Sequence, residues 1–188
     1  MTMLDITGTM VDKERIKSNS HHGVWGLFHE IGHNHQDALW VFDGTTEVTV
    51  NLFSLYVMEK VCGFKIGGHP AVEKSTREKA MTKYMADGAD FEKWKSDPFL
   101  ALAMYIQMQQ AFGWDSFCKT FGQYRQLSDD QKPKSDDDKR DQWLVRYSKT
   151  VGKNLGPFFD AWGVPVSDQA KKSIADLPAW MPDDMPAK

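Results

Sequence analysis

The chain has 188 residues, 41% of them hydrophobic and 26% charged, with a formal net charge of −3. This length and composition predict a single globular domain, residues 1–188, with a hydrophobic core. The negative charge argues against nucleic acid as a partner, because phosphate contacts need a basic surface. No apolar run approaches the roughly 18 residues of a transmembrane segment, and the N-terminus lacks the basic-then-apolar pattern of a signal peptide.

The N-terminal residues predict at most one short strand, Met3–Thr7. Helical patterns dominate everything after it, so the predicted fold class is mainly α. The two cysteines, Cys62 and Cys118, are too few for a disulfide framework, and we expect both to be buried free thiols.

The first predicted helix carries an H-E-x-x-H motif, His29-Glu30-Ile31-Gly32-His33. Residues four apart lie on one helix face, so both histidines can bind one metal ion from the same side. Catalytic zinc uses such neutral imidazoles and keeps a position for water, and Glu30 could act as the general base toward that water. The alternative is a surface helix with two unrelated histidines. The apolar residues around the motif favour a buried helix, whose polar side chains need partners.

A catalytic zinc site needs a third protein ligand. Asp37 is one candidate, but it follows the motif where the helix is expected to end. Glu47 opens a polar stripe with Asn51 and Ser54 on the next predicted helix, which is otherwise mostly apolar. This stripe is either a solvated face or part of a site, and its carboxylate makes Glu47 the preferred ligand. Glu59, near the other end of that helix, is the competitor and is expected to be exposed.

Supporting roles are predicted for a second group of residues. Ligating histidines usually donate their other ring N–H to an oxygen, and a tyrosine hydroxyl can stabilise a developing oxyanion. The candidates for the first role are Asn34, Asp43 and Asn51, and those for the second are Tyr56 and Tyr105. The alternative for the tyrosines is a place in the core.

The second half of the chain predicts a series of helices and no further site. Asp97 and Pro98 start a helix that runs to Phe112 and stops at Gly113. Met104 and Met108 are expected in the core, because they fall at helical spacing. The further predicted helices are Asp115–Leu127, Gln142–Val151, Leu155–Trp162 and Ser167–Ala175. The Pro-rich end wraps the surface, and residues 182–188 are expected to be a disordered tail.

The segments Trp25–Gln36 and Thr45–Val57 resemble the enhancin-like and mucin-degrading metallopeptidases, peptidase family sixty. Within that superfamily, three more segments resemble the TRP-melastatin channel-associated factors of vertebrates. These are Gln109–Trp114, Gly156–Pro165 and Leu177–Trp180. The resemblance covers nearly the whole chain, from about residue 20 to about residue 181.

The enhancin-like branch implies a zinc metallopeptidase of gluzincin type that cleaves proteins or glycoproteins such as mucins. In gluzincins the third zinc ligand is a Glu downstream of the motif, which here is Glu47, with His29 and His33 as the other ligands of one zinc ion. Glu30 would then be the catalytic base. The channel-associated branch implies instead a non-catalytic factor that binds a TRP-type ion channel and regulates its trafficking.

The resemblance also shapes the expected fold and location. Enhancin-like domains carry a longer N-terminal portion with a sheet, of which this chain would hold at most Met3–Thr7. We therefore expect a zincin-like helical catalytic subdomain, the C-terminal part of such a domain. We expect it in the cytoplasm or at a membrane surface, or outside the cell if it is a fragment of a secreted peptidase.

Overall fold

The structure, a computed structural model, describes residues 21–63 and 69–186. The predicted strand Met3–Thr7 lies outside these ranges. Within them the fold is mainly helical, as predicted, and the β contact is a single parallel bridge between Asn154 and Ala179. None of the described helices combines the length and apolar composition needed to cross a membrane.

Eight α-helices and three short helical turns make up the described fold. The α-helices are α1 (His21–His33), α2 (Thr46–Tyr56), α3 (Lys74–Ala86), α4 (Phe91–Ser96), α5 (Pro98–Tyr124), α6 (Asp136–Val151), α7 (Gly156–Ala161) and α8 (Asp168–Lys172). A π-helical turn, Val57–Val61, extends α2, and 3-10 turns occur at Pro70–Val72 and Asp129–Gln131.

The longest helix, α5, begins as the sequence predicts. The Asp97 carboxylate accepts hydrogen bonds from the backbone N–H groups of Phe99 and Leu100, and Pro98 takes the first helical position. Gly113 interrupts the helix with φ 72° and ψ 173°, a conformation that favours glycine. The predicted boundary at Gly113 is therefore confirmed, and the two predicted helices follow each other across a kink.

The core surrounds α5, which contacts α2, α3, α4 and α6. Met104 and Met108 are buried there, as predicted. The largest fully buried side chains are mostly aromatic: Trp94, Trp143, Trp162, Tyr105, Tyr124, Tyr147, Phe117, Phe158 and Phe159. Large aromatic side chains bury much apolar area, so they hold this helical layer together without a sheet in the described residues.

Helices α1 and α2 pack in close contact at Gly32. A Cβ atom at this position would lie 2.9 Å from Val50 Cγ2, 3.1 Å from Val50 O and 3.4 Å from Phe53 Cβ. Valine is stiff in a helix and the carbonyl is backbone, so neither can move aside easily. The absence of a side chain at Gly32 therefore sets how near the two helices come.

Two residues of the C-terminal segment that was predicted to be a disordered tail, Asp184 and Met185, contact the core. The buried Gln107 side chain donates a hydrogen bond to Asp184 Oδ1 at 2.9 Å, and Met185 packs against the core. Gln107 also accepts a hydrogen bond from Trp162 Nε1 at 3.0 Å. A buried amide needs such partners, and this requirement ties down the tail. Residues 187–188 lie outside the described ranges.

The cysteine prediction is wrong in part. Both thiols are free, as predicted, but Cys62 is half-buried and Cys118 is exposed. Cys118 follows Phe117, which occupies the core side of α5, so the cysteine points to another face of the helix. Burial raises the pKa of the Cys62 thiol.

We predict that Gly32→Ala destabilises the fold by about 1–3 kcal/mol, because the added methyl group overpacks the contact between α1 and α2. Urea unfolding would measure the free energy of unfolding. Gly122→Ala is the matched control: Gly122 lies within α5 and no atom lies within 4 Å of a Cβ built there. It should leave stability unchanged or raise it by up to about 1 kcal/mol. Equal stability of the Gly32→Ala variant and the wild type would contradict the packing argument.

Candidate metal centre

His29 and His33 in the last turns of α1 meet Glu47 in the first turn of α2. One potential ligand atom from each of the three residues lies within 4.8 Å of the other two. His29 Nε2 is 3.1 Å from Glu47 Oε2, and His33 Nε2 is 4.0 Å from Glu47 Oε1. The histidines are half-buried, whereas the Glu47 side chain is 50% exposed. The structure thus brings together the three residues that the sequence predicts as ligands.

Gln36 determines which nitrogen of His33 carries the proton. Its side-chain nitrogen is 2.6 Å from Thr46 O and 2.6 Å from Thr49 Oγ1. A backbone carbonyl only accepts hydrogen bonds, so the amide nitrogen must face Thr46 and the amide oxygen must face His33. That oxygen lies 2.9 Å from His33 Nδ1, so Nδ1 is the donor. His33 Nε2 then points toward Glu47.

Asn51 has the same effect on His29. The Trp25 indole N–H can only donate, and it donates to Asn51 Oδ1 at 3.1 Å. The same oxygen lies 2.8 Å from His29 Nδ1, so this nitrogen is also a donor. Asn51 is 3% exposed and Trp25 7%, so burial holds both side chains in place. The structure therefore places Asn51 against the outer ring nitrogen of His29, the position predicted for it.

The three donor atoms fit a zinc ion. With Nδ1 donating, the neutral form of each histidine presents its Nε2 lone pair toward the Glu47 carboxylate. Two acceptor atoms 3.1 Å apart repel each other unless a proton or a metal ion lies between them. Tetrahedral ligands around zinc, with bonds of about 2.0–2.2 Å, are roughly 3.3 Å apart, which lies between the two measured separations. Two imidazole nitrogens and one carboxylate oxygen form a standard catalytic zinc set.

Glu30 lies beside this cluster on α1. It follows His29 by one residue and so lies about 100° around the helix. Its side chain is exposed. No hydrogen bond or ion pair within the described residues engages its carboxylate. The Glu30 carboxylate is therefore accessible to water.

Two other predicted partners of the histidines lie elsewhere. Asn34 is exposed in the turn after α1, and Gln36 makes the contact that Asn34 was predicted to make. The Asp43 carboxylate is 2.6 Å from Arg140 Nη1 and 3.6 Å from Lys95 Nζ. Arg140 is buried and needs an anionic partner, so it holds Asp43 away from the cluster.

The competing ligands are engaged by other groups as well. Asp37 Oδ1 accepts a hydrogen bond from the Leu39 backbone N–H at 3.0 Å, because α1 has already ended. Glu59 is partly buried, contrary to the expected exposure, and accepts a hydrogen bond from Trp114 Nε1 at 2.8 Å.

The structure does not place either predicted tyrosine beside the three donor atoms. Tyr56 follows Glu47 by nine residues on α2, which is about 13 Å along the axis and half a turn around it. Its ring instead contacts Trp114 edge-on. Tyr105 lies in the aromatic core, with its ring centroid 6.0 Å from that of Trp143. Burial raises the pKa of Tyr105 well above its ordinary range. Core packing, the alternative for Tyr105, describes its position.

Three residues that shape the site were not predicted from the sequence: Gln36, Trp25 and Gly32. Gln36 follows His33 at the i+3 spacing that makes helical neighbours, which is a usable signal. Trp25 precedes His29 by four residues and could have been found in the same way. The role of Gly32 depends on a side chain of the next helix, and nothing in the local pattern indicates it.

The fold is similar to part of a metallopeptidase. A metallopeptidase solved in complex with Tn antigen superimposes with a TM-score of 0.69 at 22% identity, covering 92% of this chain and 36% of that chain. A conserved protein of unknown function from Bacillus anthracis str. Ames superimposes with a TM-score of 0.76 at 32% identity, covering 94% and 34% respectively.

The chain belongs to the family described as Peptidase M60, enhancin and enhancin-like, which matches residues 3–163. This confirms the family that the sequence resembles. It is also 37% identical over 187 residues to TRPM8 channel-associated factor 3 of Mus musculus. That alignment covers 98% of this chain and 20% of the mouse protein, so the chain spans about a fifth of the curated relatives it matches.

We predict that the two histidine rings hold the Nδ1–H form independently. Ring 15N chemical shifts at about pH 8, above the ordinary titration range of histidine, would report the tautomer of each ring. Gln36→Ala should mix the tautomers of His33 and leave His29 unchanged, because Asn51 still accepts from His29. Gln126→Ala, an exposed glutamine on the segment after α5, is the control and should alter neither ring. An unchanged His33 spectrum in Gln36→Ala would refute the assignment.

Proposed function

We propose that this chain is the zinc-binding helical part of a gluzincin-type metallopeptidase. His29, His33 and Glu47 would hold one zinc ion. The observation that supports this most is the approach of three donor atoms to within 4.8 Å, with both Nδ1 atoms occupied by amide oxygens. Outer partners of this kind orient metal ligands, and a cluster of exposed acids alone would not have them.

The proposed reaction is hydrolysis of a peptide bond. Zn²⁺, when bound, would supply a Lewis acid that polarises the peptide carbonyl and acidifies a nearby water. Glu30 accepts a proton from the attacking water as the C–O bond forms, and then donates it to the amine nitrogen as the C–N bond breaks. Gln36 and Asn51 keep the histidine rings in one orientation throughout. The free, exposed carboxylate of Glu30 supports this role.

The proposed substrate class is protein or glycoprotein, including mucins. The support is the similarity of fold to a metallopeptidase solved with Tn antigen. This chain spans 36% of that structure, so substrate recognition is a proposal for the whole protein to which the chain corresponds.

We predict that the wild-type chain binds one zinc ion per molecule and that Glu47→Gln lowers the affinity at least tenfold, because a neutral amide is a poor zinc ligand. Competition with a chromophoric chelator would measure the affinity. Glu78→Gln is the matched control, since the Glu78 side chain is 48% exposed against 50% for Glu47, and it should bind zinc like the wild type. Wild-type chain without zinc would rule out the site.

We further predict that Glu30→Gln keeps zinc and loses peptide cleavage by about 10²–10⁴-fold, the usual contribution of a general base. Cleavage of casein and of an O-glycosylated mucin would be followed with zinc-loaded protein. The Glu78→Gln variant should cleave like the wild type. Cleavage that persists in Glu30→Gln would remove Glu30 from the mechanism.

The second candidate function is that of a non-catalytic channel-associated factor. The similarity to TRPM8 channel-associated factor 3 supports it. In that case we propose a membrane-peripheral location and binding to a TRP-type channel, with the metal site serving structure. Tight zinc binding without cleavage, together with channel binding that Glu30→Gln leaves intact, would favour this function over the peptidase.

A further inference from the structure

A separate apolar cavity lies between α1, α2 and α5. Its volume is about 410 Å³, within the range of small-molecule sites. Apolar and aromatic side chains form most of its wall: Phe28, Ile31, Trp40, Phe53, Tyr56 and Phe121. Two of them remain notably exposed, Ile31 at 40% and Tyr56 at 37%. Apolar surface of this kind commonly marks a binding site.

This cavity faces a different side of α1 from the metal centre. Ile31 and His35 line it. Ile31 lies about 160° around the helix from His29, and His35 follows the end of α1. Gly32 also lines it, at the contact between α1 and α2. A ligand here would therefore contact the back of the H-E-x-x-H helix and would not require the metal.

The cavity is one end of an elongated groove. A second space of about 200 Å³ shares four of its lining residues and extends to Trp114. Arg125 lines the first space. Trp114 begins the part of α5 that follows the kink at Gly113, and Arg125, eleven residues later, directly follows the end of that helix. At 1.5 Å per residue the groove runs roughly 16 Å along this helix. An unbranched chain matches such a shape better than a compact ring system does.

The charge at the groove has one sign. Arg125 is exposed, and no carboxylate of the described residues pairs with it. The lining of both spaces contains no Asp or Glu. An unpaired guanidinium at one end of an apolar groove favours a ligand with a single anionic end group, and Arg binds carboxylates through two parallel hydrogen bonds.

We propose that this groove binds a medium-chain fatty acid or a similar amphipathic carboxylate. The carboxylate pairs with Arg125, and the alkyl chain lies along α5 past Phe121 and Cys118 toward Trp114. The site is independent of the proposed zinc chemistry, so either can fail without the other.

The test uses the full chain, with decanoate below its micelle concentration as the probe and decan-1-ol as its neutral counterpart. Isothermal titration should show one decanoate site, with decan-1-ol at least tenfold weaker. Arg125→Gln should weaken decanoate at least tenfold and leave decan-1-ol within twofold. Lys119→Gln is the matched control, because it removes one exposed positive charge from the same helix outside the groove lining, and it should bind decanoate like the wild type.

The thiols provide a second readout that reports position. Cys118 lines the groove and Cys62 does not. Decanoate should slow alkylation of Cys118 by iodoacetamide at least fivefold and leave the Cys62 rate unchanged, as mapped by mass spectrometry. Equal binding of decanoate and decan-1-ol would overturn the proposal in favour of an apolar surface for a protein segment. Equal loss in Arg125→Gln and Lys119→Gln, or no protection of Cys118, would overturn it as well.

Discussion

The contact between α1 and α2 at Gly32 is the constraint on which the candidate metal centre depends. His29 and His33 belong to one helix and Glu47 to the next, so their separation is set by the distance between the two helices. Val50 and Phe53 occupy the space that a side chain at position 32 would need. Protein interiors are close-packed and yield little, so the missing side chain at Gly32 permits the close helix contact that brings the three donor atoms together.

Hydrogen bonds to side-chain amides complete what the helix contact begins. Helical spacing brings two imidazoles to one face, but it leaves their rotation and their tautomers free. Gln36 and Asn51 remove that freedom. Each places its amide oxygen, which can only accept hydrogen bonds, next to a ring nitrogen, and that nitrogen must therefore be the donor. Two groups orient these amides: the Trp25 indole N–H donates to Asn51, and the Thr46 carbonyl accepts from Gln36. The first is fixed by burial and the second by the backbone. The histidine rings are thus oriented by the neutral amides of Gln36 and Asn51. These amides add no positive charge that would compete with a cation for Glu47.

The H-E-x-x-H helix has two faces with different chemistry. One presents nitrogen donors to Glu47, and the other forms the wall of an apolar groove with α5. Gly32 lies at the junction, where it contacts α2 and also lines the groove. The wall of the groove and the spacing of the three candidate ligands therefore both include the contact between α1 and α2.

The sequence by itself determined the helical class, the boundary at Gly113, the metal ligands as candidates and the family. These features follow from local spacing, glycine conformation and motif chemistry, all of which are contained within short segments of the sequence. Only the tertiary structure decided which polar residues support the histidines and which do not. Asp43 was predicted to support the histidines, but it pairs with Arg140, which lies nearly a hundred residues later in the chain. Asp184 falls in the predicted disordered tail, but it accepts a hydrogen bond from the buried side chain of Gln107. In each case the partner is distant in sequence. A buried polar group left unpaired costs free energy, but the nearby sequence does not indicate which distant residue will pair with it.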